Sequence, residues 1–140
     1  MPFTFGENWK ASYCGSSKCA RPYVGISTSL APEGEFIDLS GATGVSFKIK
    51  SRSVPLKVIF KVHTYDIEMD STFAFYQDTV IASTSWETKN ILFSELTQPS
   101  WANSSSYREF DQSKVTQFAW ELLEENNSSV TSDTLALDDI

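Results

Sequence analysis

Tyr13, Tyr23, Tyr65 and Trp101 stand among polar neighbours, where an aromatic ring has work other than filling a core. Tyr13 adjoins Cys14, Tyr23 follows Pro22, and Trp101 sits in Gln98-Pro99-Ser100-Trp101-Ala102-Asn103. Such rings are flat and apolar on the face and polar at one edge. Set beside amides and charges, they can stack on the C–H face of a sugar ring while their neighbours pair with its hydroxyls. Lys50, His63, Gln77 and Glu121 are the polar candidates for that second task. His63, the single histidine, alternates outward between Lys61 and Tyr65, although a lone histidine is more often surface decoration than a site. Lys50 shares an outward face with Lys48, where the ordinary reading of both is a solvated charge. Tyr65 has the alternative of packing on a sheet edge. Tyr76 is ambiguous, because adjacent Phe75 and Tyr76 must point to opposite faces of a strand.

Alternation of period two dominates the chain and assigns the elements that must hold these residues. Over 23–30, Val24, Ile26, Thr28 and Leu30 oppose Tyr23, Gly25, Ser27 and Ser29. Residues 35–39 read as a short extended piece, and 45–51 place Val45, Phe47 and Ile49 inward. After the breaker Ser53-Val54-Pro55, residues 56–65 set Val58, Phe60, Val62 and Thr64 against Ile59, Lys61, His63 and Tyr65. Strands are expected over 72–77, 79–82 and 86–93, then a helical turn at Phe93-Ser94-Glu95-Leu96, then strands over 115–123 and 134–140. In 115–123, Trp120 alternates with Phe118 and Leu122 and reads as core. Gln117, Ala119 and Glu121 then form a flat floor of small and polar residues on the other side. Many short strands separated by turns predict an all-β fold, a sandwich or barrel with one wetted face per sheet.

A length of 140 residues fits one domain over 1–140, able to bury a core without staples. Net charge is −7 with scattered Lys and Arg, which argues against nucleic acid and against an anionic membrane surface. No apolar run approaches the roughly 20 residues of a membrane span, and the first residues lack the pattern of a signal peptide. No nucleophile elbow, zinc-protease motif or phosphate loop is present. A glycosidase needs only two facing carboxylates, so a small glycan-cleaving enzyme stays open, as does a protein-interaction sandwich. Cys14 and Cys19 close a short loop and read as a local disulfide, which favours an oxidising compartment; two free thiols in a turn are the alternative.

Tyr23-Val24-Gly25-Ile26-Ser27 and residues 36–50 resemble the front half of a jelly-roll carbohydrate-binding module. Residues 85–94 and Leu135-Ala136-Leu137-Asp138-Asp139-Ile140 are similar to its back half, with Trp86 expected in the core. The resemblance is to the family 11 and family 30 modules of bacterial cellulases, over nearly the whole chain. It implies a β-sandwich jelly roll of two antiparallel sheets that binds a plant cell-wall β-glucan without cleaving it. The expected partners are the polysaccharide and a covalently linked catalytic domain of a secreted glycoside hydrolase, with the module itself a monomer. The resemblance also implies a structural calcium, for which Glu7, Asp138 and Asp139 are the candidate ligands because terminal strands of such sandwiches pair. Ordinary surface acids are the alternative. The Cys14–Cys19 loop departs from the family pattern.

Overall fold

A computed structural model describes residues 2–5, 13–14, 17–18, 23–103 and 105–140; before residue 23 only the side chain of Thr4 is described. In chain order the strands are β1 (Pro2–Phe5), β2 (Tyr13–Cys14), β3 (Ser17–Lys18), β4 (Tyr23–Ser29), β5 (Gly44–Ser51) and β6 (Leu56–Thr64). A short helix, α1 (Tyr65–Met69), precedes β7 (Tyr76–Ala82), β8 (Glu87–Leu92), β9 (Val115–Leu123) and β10 (Asp133–Asp138). One four-stranded antiparallel sheet runs β1-β10-β5-β8 and a second runs β4-β9-β6-β7, with β2 and β3 paired apart from both. This is the jelly-roll sandwich expected from the alternation and the resemblance.

Alternation drives one face of each sheet into a shared core. Phe47 and Ile49 of β5, Ile91 of β8 and Leu135 and Leu137 of β10 meet Val58, Phe60 and Val62 of β6 and Phe118, Trp120 and Leu122 of β9. Trp120 is fully buried, with its ring edge-on to Phe47 at 5.3 Å and tilted against Phe60 at 5.4 Å. Each such side chain contributes about 1.5–3 kcal/mol by leaving water. Gly44 is needed where β5 meets β8, because any Cβ there would collide with the Ile91 carbonyl. The buried Asp133 carboxylate accepts backbone N–H bonds from Ser53 at 3.0 Å, Val54 at 3.1 Å and Thr134 at 2.7 Å, and so pins the Ser53-Val54-Pro55 breaker to β10. Asn127, also buried, brackets Lys57 by accepting from its N–H and donating to its carbonyl, each at 2.9 Å.

Four expectations are corrected. Residues 35–39 make only one bridge, Ile37 to Val115. Residues 72–75 are irregular, with Ser71 at φ 55° and Phe73 at φ 56°, so the strand begins at Tyr76. The strand from Leu56 stops at Thr64, where a register shift between His63 and Thr64 against β9 turns the chain into α1. Trp86 is 46% exposed rather than core. The reason lies in parity: Ile91 and Phe93 face inward, so an even-numbered neighbour such as Trp86 faces out. The helical turn at Phe93–Glu95 is present.

Candidate functional site

The outward face of the β4-β9-β6-β7 sheet carries a groove of about 560 Å³. Strand register lays its floor in rows. Gly25, Glu121, Ile59 and Thr79 stand side by side, and the next row is Ser27, Ala119, Lys61 and Gln77. Gly25, Ser27 and Ala119 keep the β4–β9 half shallow in side chain. Gly25 is required there, because a Cβ would lie 2.5 Å from the Trp120 carbonyl oxygen and 3.0 Å from Glu121 Cγ. Across the rows, Lys61 Nζ meets Glu121 Oε2 at 2.5 Å with both side chains mostly covered. A carboxylate and an ammonium so placed offer acceptors and donors in the middle of the floor.

His63 continues the Lys61 side of β6, but it is 9% exposed and lies flat against Phe75, with ring centroids 3.6 Å apart and planes 9° from parallel. Its Nδ1 is 2.6 Å from Gln117 Nε2 and 3.3 Å from Glu68 Oε1. Burial, and then the nearby Lys61 charge, lower its pKa to about 4, so the ring is neutral at pH 7. With His63 neutral, the charges lining the groove are Lys57 and Lys61 against Glu121 and Glu125, a balanced set in a chain of net charge −7.

One wall rises beyond β7. Gln77 and Thr97 exchange backbone hydrogen bonds of 2.9 and 3.1 Å, which seats residues 97–101 alongside the strand and holds Trp101, half exposed, on the rim. Gln98 Nε2 donates to the Ala74 carbonyl at 2.8 Å and Arg108 pairs with Asp70 at 2.6 Å, so the 70–76 and 98–108 segments are tied together. Phe73 and Phe75 come from the first of these segments.

Tyr23, His63, Gln77, Trp101 and Glu121 thus line one groove, with His63 buried in its floor. Three candidates lie elsewhere. Tyr65 belongs to α1, past the register shift, and packs edge-on against Phe36 at 5.3 Å. Tyr76 points to the other side of the wall, where its hydroxyl donates to the Arg108 carbonyl at 2.8 Å; burial, with Tyr107 alongside, raises its pKa. Lys50 is on the opposite sheet, with Nζ 5.2 Å from the centre of the Trp86 ring. The side chain of Tyr13, Glu7 and the Cys14–Cys19 pairing lie outside the described residues.

The terminal strands β1 and β10 do pair. Of the calcium candidates, Asp139 pairs with Lys48 at 2.5 Å, and Asp138 accepts the Asp139 N–H at 2.9 Å. No cluster of three or more metal-ligating side chains occurs among the described residues, and Glu7 lies outside them.

Phe73 is the lining residue that alternation could not assign. Its left-handed backbone breaks period two, and the only local signal is the Asp70-Ser71-Thr72 turn, in which the Thr72 N–H donates to Asp70 Oδ1 at 3.2 Å. Lys61 was legible as outward-facing, but its ion pair with Glu121 depends on which strands are neighbours.

No family model matches the chain, and no curated protein sequence matches it. Solved structures do. A family 11 carbohydrate-binding module from Clostridium thermocellum, in complex with a β-1,3-1,4-mixed-linked tetrasaccharide, is 21% identical with a TM-score of 0.56 over 84% of this chain and 65% of that one. The family 11 module of a cellulosomal cellulase of the same bacterium is 20% identical, with a TM-score of 0.53 over 83% of this chain and 64% of that one. A family 30 carbohydrate-binding module is 17% identical, with a TM-score of 0.55 over 83% of this chain and 65% of that one. The likeness is one of fold, and the chain spans about 65% of the length of these structures.

Proposed function

We propose that this chain binds a plant cell-wall β-glucan in the groove of the β4-β9-β6-β7 sheet and does not cleave it. Cellulosic, mixed-linkage and xyloglucan chains are the ligands in view. The observation that carries the reading is the composition of the groove. Exposed rings of Tyr23 and Trp101 stand over a floor whose centre is the Lys61–Glu121 pair, with Gln77 beside it. Rings take the C–H faces of pyranoses, and the floor pairs with hydroxyls. The balanced charge of the lining suits a neutral glycan better than a uronate or a polyanion. The shared fold with family 11 and family 30 modules, one of them in complex with a mixed-linkage tetrasaccharide, supports the same class of ligand. Glu121 is committed to Lys61, which favours a binding role over hydrolysis.

In this reading the module is secreted, monomeric and joined to a glycoside hydrolase, whose local substrate concentration it raises by tethering. Affinity electrophoresis against soluble glucans, xyloglucan, xylan and mannan tests it. Retardation by a β-glucan is expected, with no release of reducing sugar. Free migration through every gel would refute the proposal, and reducing-sugar release would make the chain an enzyme.

A further inference from the structure

Phe73 is the most exposed large apolar residue lining the groove, at 62%, and it occupies a left-handed backbone conformation with φ 56°. A bulky side chain in that region is strained, and such strain persists only where the surroundings hold it. The surroundings here do so. The next residue, Ala74, accepts the Gln98 hydrogen bond from the Trp101-bearing segment, and Asp70 is held by Arg108. Phe73 stands edge-on to Phe75 at 6.4 Å, and Phe75 lies flat on His63. Three rings therefore step from the rim of the groove down to its floor.

This stack marks one end of the groove. Tyr23 marks the other: it pairs with Leu123, two residues beyond Glu121, whose partner on β6 is Ile59, and Lys57 stands two residues before Ile59. From Lys57 to His63 is six residues along β6, about 20 Å of extended strand. Between the two aromatic ends lies the polar centre formed by Lys61 and Glu121. Two apolar platforms separated by a hydrogen-bonding middle fit an extended chain of several sugar residues, and a short sugar can reach only one of them.

We infer that Phe73 is a stacking platform for the distal sugar of an extended oligosaccharide, and that it sets the chain length the groove prefers. The inference rests on the glycan-binding reading given above, and its test separates the two. Binding of cello- or mixed-linkage hexasaccharides and of the corresponding disaccharides is measured by calorimetry for the wild type, Phe73→Ala, Phe73→Gly and Phe73→Trp. Phe73→Ala and Phe73→Gly weaken hexasaccharide binding about tenfold and leave disaccharide binding within twofold, while Phe73→Trp retains both. Glycine relieves the positive φ, so Phe73→Gly keeps or raises the unfolding midpoint while it loses the ring. Hexasaccharide affinity unchanged in both ring-deleted variants would overturn the inference and leave glycan binding standing. A wild type that binds none of these sugars or soluble glucans would overturn both.

Discussion

Lys61 and Glu121 meet at 2.5 Å although neither is the other's strand partner: Lys61 is opposite Ala119, and Glu121 is opposite Ile59. The diagonal works because Ala119 is small and because Gly25, under Glu121 Cγ, leaves the carboxylate arm room to lie across the floor. Charges this well covered pair usefully but are costly when orphaned. Glu121→Leu or Lys61→Met should each lower stability by about 1–3 kcal/mol, between the values typical of exposed and buried pairs. The double variant Lys61→Met/Glu121→Leu should recover most of that loss and still bind glucan poorly. Urea midpoints together with affinity gels check this. Additive losses in the double variant would mean that the pair is not coupled.

His63 makes stability depend on pH. Its pKa, 6.5 when unperturbed, is lowered to about 4 by burial and by Lys61. Between those values the unfolded chain takes up a proton that the folded chain refuses. Stability is therefore full above pH 6.5 and falls as pH drops toward 4, by about 1.4 kcal/mol per unit and on the order of 3 kcal/mol in all. His63→Gln removes this component, so its stability deficit relative to wild type should shrink by about 2 kcal/mol between pH 7 and pH 5. Parallel pH profiles for the two proteins would exclude His63 as the cause.

Trp101 and Trp86 are exposed to similar degrees, 50% and 46%, on opposite sides of the sandwich. Trp101→Ala and Tyr23→Ala should each weaken glucan binding about tenfold with little change in stability. Trp86→Ala should leave affinity unchanged and cost only its contact with Lys50, about 0.5–1 kcal/mol. The reverse pattern in binding titrations would move the ligand to the β1-β10-β5-β8 sheet.

Gly25 couples the floor to the core. A methyl group at this position presses on the Trp120 carbonyl and on the Glu121 side chain together. Gly25→Ala should lower stability by about 1–3 kcal/mol and weaken glucan binding in step, as thermal melts and affinity gels on the same protein would show. Full affinity in a destabilised Gly25→Ala protein would mean that Glu121 keeps its place without the glycine.

Period-two alternation in the chain itself determined the all-β class, the inward set around Phe47, Phe60 and Trp120, and the outward parity of Lys61, His63 and Glu121. Each of those facts follows from side chains alternating along an extended backbone, which needs no partner strand to be read. The same parity, applied strictly, already set Trp86 opposite Ile91. Tertiary structure decided the rest. Alternation continues past His63 on paper, but a register shift against β9 ends it and sends Tyr65 to Phe36. Tyr76 and Lys50 carry the right chemistry, yet one faces the back of the wall and the other belongs to the second sheet. Phe73 joins the groove only because Gln98 and Arg108, far along the chain, hold its segment in place. A local pattern determines which side of its own strand a residue occupies, whereas a site is assembled from strands and loops that meet only through long-range pairing.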